Sequence, residues 1–148
     1  RLVHPGGAVG RLLLRVADIM HAGEANPIVE PEATIEQIVE ELTEKRLGGV
    51  NVVENRQTNR LLGIITEGDL RRAIGQRERF FSLRARDIMT ADPITIHMNE
   101  RAQRALELME DLRRDGTRRL QVYVLSVVDD ERRAVGFLRL HDLLHTGR

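Results

Sequence analysis

Cysteine and tryptophan are missing from the 148 residues, tyrosine occurs once, and phenylalanine three times. Without cysteine there is no disulfide, no thiolate metal centre and no cysteine nucleophile, a composition that fits the cytoplasm. Charge of one sign is also missing: Lys+Arg and Asp+Glu both total 23, so the net charge is zero and no whole-molecule field draws in nucleic acid or an acidic membrane surface. No apolar run is long enough to cross a bilayer, and the N-terminal residues lack the apolar core of a signal peptide. The expected protein is soluble. Lysine is nearly absent, Lys45 being the only one, so scattered arginines reflect a compositional bias as readily as anion binding.

The chain does hold 41% apolar residues, enough for one compact core. It also holds a repeat. Asp18-Ile19-Met20 is echoed by Asp87-Ile88-Met89, Asn26-Pro27-Ile28-Val29 by Asp92-Pro93-Ile94-Thr95, and GIITEGDL at 63–70 by GFLRLHDL at 136–143. In the first copy Thr34 and Gln37 form a capping-box signature, and Ile35, Ile38, Val39 and Leu42 recur at helical spacing, predicting a helix of about three turns. Gly48-Gly49 stops it. Val50, Val52 and Val53 then predict a strand, Glu54 to Arg60 a polar turn, Leu61 to Ile65 a returning strand, and Glu67 to Ile74 a short helix ended by Gly75.

The second copy follows suit. Ala102, Ala105, Leu106 and Met109 trace a helix face, Leu120 to Val128 a strand, Asp129 to Arg133 a turn, Ala134 to Leu138 a strand, and a last helix starts near His141. Met109 and Gly136 lie 27 positions apart whereas Leu42 and Gly63 lie 21 apart, so six extra residues are expected as a surface excursion within Asp111 to Arg119. The predicted class is α/β (α+β): two tandem β-α-β-β-α units. Neither closes a core alone, so they should pack face to face about a pseudo-twofold axis, leaving two related clefts, each bounded by one strand-to-helix turn.

The DIM starters, the NPIV and DPIT strands and the Gly-apolar-apolar-Thr-x-x-Asp-Leu closer resemble the CBS-domain pair, or Bateman module, over about residues 16–146. HPGGAVG at 4–10 followed by RLLLRVADIMH, with GDLRR at 68–72 and HDLL at 141–144, resembles the junction between the sugar isomerase (SIS) domain and the CBS pair in D-arabinose-5-phosphate isomerases. The resemblance implies boundaries of 1–15 for the end of the SIS domain and linker, 16–80 for the first CBS motif and 81–148 for the second. It also implies a regulatory, ligand-sensing pair attached to an enzyme that interconverts D-ribulose 5-phosphate and D-arabinose 5-phosphate for Kdo and lipopolysaccharide synthesis. The implied ligand is an adenine nucleotide or CMP-Kdo. The implied partners are the chain's own SIS domain and further copies in a homodimer or larger oligomer, with neither nucleic acid nor membrane. His4 matches the family's junction histidine, but it is orphaned: the acid-base partners lie in the SIS domain, so residues 1–148 alone are expected to turn over no sugar phosphate. The alternative expectation is a structural oligomerisation module that binds no ligand.

By that resemblance Thr66 and Asp69 hold ribose hydroxyls or phosphate, and Asp142 is the second copy's equivalent acid. The residues themselves support a plainer role, since Thr-x-x-Asp at a strand-to-helix turn caps a helix, and both roles are compatible. Arg139 stands where the first copy has threonine, so the two turns should differ. Its guanidinium suits a phosphate or carboxylate ligand, or an internal pair with Asp142, and internal pairs are commoner. His141 and His145 are four apart on the last helix, but without an evident third metal ligand they read as helix-end histidines. Arg71, Arg72, Arg77, Arg79, Arg84 and Arg86 read as a solvated linker between repeats, and Phe80-Phe81 as a plug between the copies or at a dimer contact.

Overall fold

A computed structural model describes residues 8–115 and 123–145, and within them the repeat becomes two sheets. The connector comes first, as helices α1 (Ala8–Leu12) and α2 (Val16–Ile19). The first copy then runs through strand β1 (Ile28–Val29), α3 (Ile35–Lys45), β2 (Gly49–Val53), β3 (Leu61–Thr66) and α4 (Glu67–Ile74). A second connector holds α5 (Ala85–Ile88) and β4 (Thr90–Ala91). The second copy follows as β5 (Thr95–His97), α6 (Ala102–Arg114), β6 (Val124–Val128), β7 (Ala134–Arg139) and α7 (Leu140–Leu144). Strand order is β1-β2-β3-β4 in one sheet and β5-β6-β7 in the other; β1–β2 and β5–β6 are parallel, and the remaining pairs antiparallel. Each copy is therefore the expected β-α-β-β-α unit.

The helix starts are those the capping pattern predicts. Thr34 Oγ1 accepts from Gln37 N–H (3.1 Å) and Gln37 Oε1 accepts from Thr34 N–H (2.9 Å), so α3 opens on a complete capping box. It ends at Lys45, three residues before Gly48, with Arg46 in the left-handed region (φ 62°) and Gly48 itself at φ 81°.

Strand β2 is buried along its whole length because both its faces are covered. Val50 and Val52 point to the side of α3 and join Val29, Ile38 and Ile65 in one core. The second sheet behaves alike: Leu125, Val127 and Leu138 pack with Ala102, Ala105 and Met109 of α6. The opposite faces meet each other, Leu47 and Ile64 against Val124 and Phe137, and Val53 and Leu61 against Val128 and Ala134. This is the face-to-face packing the sequence demands. At its centre lie the equivalent residues Asn51 and Ser126, both fully buried. Ser126 Oγ donates to Asn51 Oδ1 (2.6 Å), and Asn51 Nδ2 donates to Asn26 Oδ1 (3.0 Å) and Gly136 O (3.2 Å). Every polar group there has a partner, as burial requires.

The repeat in space is offset from the repeat in sequence. Helix α2, which opens the first copy, contributes Val16 to the second copy's core, while α5, which opens the second, contributes Ala85 to the first. His21 bridges to Phe137 at the edge of β7, just as Thr90 pairs with Ile64 at the edge of β3. The DIM methionines and the closer glycines thereby explain one another. A Cβ on Gly63 would lie 2.7 Å from Met89 Sδ, and one on Gly136 2.6 Å from Met20 Sδ, so each methionine occupies the space that a side chain would need.

Three expectations require correction. Asp111 to Arg114 are not a surface excursion but the last turn of α6, where Arg114 pairs with Asp111 at 2.9 Å; the rest of that segment, from 116, lies outside the described residues. Of the strand expected from Leu120, β6 holds Val124–Val128 and Tyr123 is not part of it; positions 120–122 lie outside the described residues. Phe80 and Phe81 do not plug the contact between the copies: Phe80 packs on Ile35, Ala73 and Leu83, and Phe81 is exposed, the rings meeting edge to face at 4.9 Å. The arginines around them are surface groups, with Arg72 paired to Asp69 and Arg86 to Glu32.

Candidate functional site

The β3–α4 and β7–α7 turns open on the same cleft, of about 570 Å³. Sequence reasoning assigned one turn to each of two clefts; here Thr66, Glu67, Gly68 and Arg71 form one wall and Arg139, His141 and His145 the other. The register explains this. Gly49 pairs with Thr66 and Val124 with Arg139, so the two hairpin ends stand side by side where the sheets meet. Leu47 and Val124 make an apolar floor, and Tyr123 is exposed at the edge. An apolar floor beneath walls that carry two guanidinium groups, Arg71 and Arg139, against one carboxylate, Glu67, suits a flat apolar ring system that carries an anionic group.

The first turn is a closed capping box. Asp69 Oδ2 accepts from Thr66 N–H (2.9 Å) and from Thr66 Oγ1 (3.1 Å), while Thr66 Oγ1 accepts from Asp69 N–H (3.3 Å). Asp69 Oδ1 accepts from Arg72 Nη2 (2.5 Å) and Thr90 Oγ1 (3.2 Å). Thr66 thus lines the cleft, but the Asp69 carboxylate is buried behind it and fully engaged. Capping is the role this geometry displays for Asp69.

The second turn reaches the same end with different chemistry. Arg139 N–H donates to Asp142 Oδ2 (2.8 Å), replacing the threonine cap by its backbone half, and Arg139 Nη2 donates to Asp142 Oδ1 (2.8 Å). The internal pair expected from sequence is therefore formed. Arg139 nevertheless retains 30% of its side-chain exposure and lies on the cleft wall. A carboxylate only accepts, so His21 Nε2 carries the hydrogen that it shares with Asp142 Oδ1 at 3.0 Å. Burial works against ionisation of Asp142, yet the hydrogen bonds from His21 and Arg139 outweigh it and hold the carboxyl at about 2, below its ordinary 3.8.

His141 and His145 stack at 4.2 Å on the cleft's rim. Among the described residues no group of three His, Cys, Asp or Glu side chains is placed to hold a metal. His4 lies outside the described residues. His21 was not foreseen, although a signal existed: it follows the first DIM as Thr90 follows the second, and both donate to the other copy's closing acid.

The geometry is that of paired CBS motifs, and comparison with known families agrees. The family model described as CBS domain matches residues 16–76 and 85–147, and the chain belongs to that family. Its relatives include the arabinose 5-phosphate isomerase KdsD of Francisella tularensis, 41% identical over 143 residues that make up 95% of this chain and 40% of that protein. The KdsD of Pseudomonas aeruginosa is 39% identical over 145 residues, 97% of this chain and 41% of that one, and the KdsD of Escherichia coli K12 is 37% identical over 148 residues, 99% and 42%. The chain thus spans about two fifths of the length of the curated relatives it matches, and is homologous to their CBS part. Solved structures of the same fold include CBSX2 from Arabidopsis thaliana (TM-score 0.68, 20% identity, 87% of this chain and 90% of that one). The CBS pair of MJ0100 in complex with 5′-methylthioadenosine and S-adenosyl-L-methionine scores 0.70 at 24% identity, covering 88% and 93%. PAE2072 of Pyrobaculum aerophilum complexed with AMP scores 0.69 at 23%, covering 88% and 90%. Among the described residues no helix is long and apolar enough to cross a membrane.

Proposed function

We propose that the chain is the ligand-sensing, regulatory CBS pair of an arabinose 5-phosphate isomerase, and that its cleft takes a nucleotide or nucleotide sugar. The observation that carries this reading is the cleft shared by both closing turns, with an apolar floor and Arg139 accessible on one wall. The ligands of MJ0100 and PAE2072 support an adenine nucleotide; the relatives' arabinose 5-phosphate isomerase activity supports CMP-Kdo, the activated form of a sugar made downstream. Thr66 and Arg139 would meet the ligand, while Asp69 and Asp142 hold the two turns in shape. Under this reading residues 1–15 end an SIS domain and lead into motifs at 16–80 and 81–148, sugar-phosphate isomerisation belongs to the SIS domain, and the whole enzyme is a cytoplasmic oligomer. The purified chain then shows no turnover of D-ribulose 5-phosphate.

Calorimetry with AMP, ATP and CMP-Kdo tests the sensor. At least one should bind with a submillimolar dissociation constant, weakened about tenfold by Arg139→Ala, the loss expected for one charge-assisted contact. Failure of all three to bind below millimolar concentration rejects it. The Arg139–Asp142 pair favours a second reading, in which the wall is already satisfied and the module only holds copies together. Sedimentation showing a tight oligomer that no nucleotide alters would select that reading.

A further inference from the structure

Asp142 joins the cleft wall to the N-terminal connector. Its Oδ1 accepts from Arg139 Nη2 (2.8 Å), which lines the cleft, and from His21 Nε2 (3.0 Å), which follows α2; its backbone carbonyl accepts from Arg11 Nε (2.5 Å) on α1. The first copy shows the same plan without this link to the cleft. There Asp69 Oδ1 accepts from Thr90 of the other connector, but its cation is Arg72, which does not line the cleft. With arginine at position 139 where the first copy has threonine, the cation of the second copy stands on the cleft wall and not behind the turn. Only in the second copy does an anion in the cleft compete for the guanidinium that the closing acid holds.

We propose that an anion seated in the cleft is signalled to the connector at residues 8–21 through Asp142. The anion engages the Arg139 guanidinium, and the carboxylate, no longer shared, closes on His21 and draws α1 and α2 onto α7. Arg139 is suited to the exchange because its planar fork meets phosphate as readily as carboxylate, and it is exposed enough to turn. His21 and Asp142 act as positioning residues for the connector. The direction of the effect follows from shared acceptance: Arg139 Nη2 and His21 Nε2 both donate to Asp142 Oδ1, and removing one donor strengthens the other's hold. This inference rests on the cleft binding an anion, but the coupling itself can be read without any ligand.

Amide hydrogen exchange on the 148-residue chain separates the two. With millimolar AMP as probe, exchange over 8–21 should slow about fivefold, the low end of ordinary coupling, together with protection over 64–72. Without AMP, Arg139→Ala should already slow 8–21 by a similar factor, and Arg139→Ala with His21→Ala should not; Arg139→Gln replaces Arg139→Ala should that variant not fold. Protection by AMP over 64–72 with none over 8–21 overturns the coupling while the sensor reading stands. If AMP protects neither segment the sensor reading fails for AMP, and unchanged exchange over 8–21 in the ligand-free Arg139 variant overturns the coupling independently. Equal slowing by AMP in His21→Ala overturns it as well.

Discussion

Replacing Asp142 by asparagine keeps an oxygen to accept from Arg139 N–H but removes the charge and turns a donor toward Arg139 Nη2 and His21 Nε2, so it tests the hold of those two side chains on the turn. The folded carboxyl sits at about 2 and the ordinary one at 3.8, a separation that corresponds to at most ~2.4 kcal/mol of stabilisation at neutral pH. Arg139 and His21 remain about 30% exposed, so solvent screens part of this, and about 1–2 kcal/mol is the expected loss. The sign follows from the depressed value: the contribution is complete above the unfolded carboxyl's titration and is lost as pH falls through the folded one. Linkage leaves roughly half of it at about pH 3 and less than roughly a quarter at about pH 2. The assay is urea unfolding of the native chain and Asp142→Asn between pH 7 and pH 3, read as the difference between the two stabilities. A difference that stays constant across that range, or is already absent at pH 7, refutes the assignment of His21 and Arg139 as the groups that hold the carboxylate ionised.

Other consequences rest on packing. Gly63→Ala should cost about 1–3 kcal/mol by thermal unfolding and more than Gly136→Ala, because its Cβ would lie 2.7 Å from the backbone oxygen of Thr90, whereas Gly136 faces His21 O at 3.2 Å and the pliant Met20 side chain. Asn51→Leu should cost about 3 kcal/mol by denaturant midpoint, since it strands Ser126 Oγ and Asn26 Oδ1 in a buried contact. Thr34→Ala should lower stability by about 1 kcal/mol, the usual cost of an N-cap, and Thr34→Ser should restore most of it.

The two halves were legible because each signal in the sequence has a direct physical counterpart. Helical spacing became a face of α3 with Ile35 and Ile38 buried and Leu42 half-buried, whereas Val39, expected on the same face, is exposed; the Thr34–Gln37 signature became a bonded capping box. The near-unbroken apolar run of β2 became a strand covered on both sides. Which copy each connector would cover was not legible, because periodicity describes the face of an element and not its neighbour. DIM and the closer glycine read as two separate motifs until Met20 is seen against Gly136 and Met89 against Gly63. The extra residues of the second copy read as a loop because length alone does not distinguish an excursion from another helical turn at Asp111 to Arg114.

At the site, residue type foretold local pairing better than it foretold direction. Thr66, Asp69, Arg139 and Asp142 all stand at the turns, yet Asp69 faces inward to Thr90 and Arg72 while Arg139 stays on the cleft wall. A carboxylate three residues after a strand's last residue is drawn to the free N–H groups of the helix it opens, and that attraction acts in both copies whatever the cleft contains. What differs is the cation that neutralises it. Position 72 is one helical turn beyond Asp69 and does not line the cleft, whereas position 139 is the last residue of β7 and does. The departure of Arg139 from the threonine pattern therefore does not simply remove a ligand contact. It places the neutralising charge where an incoming anion can take it, and leaves His21 of the connector as the group that gains when it does.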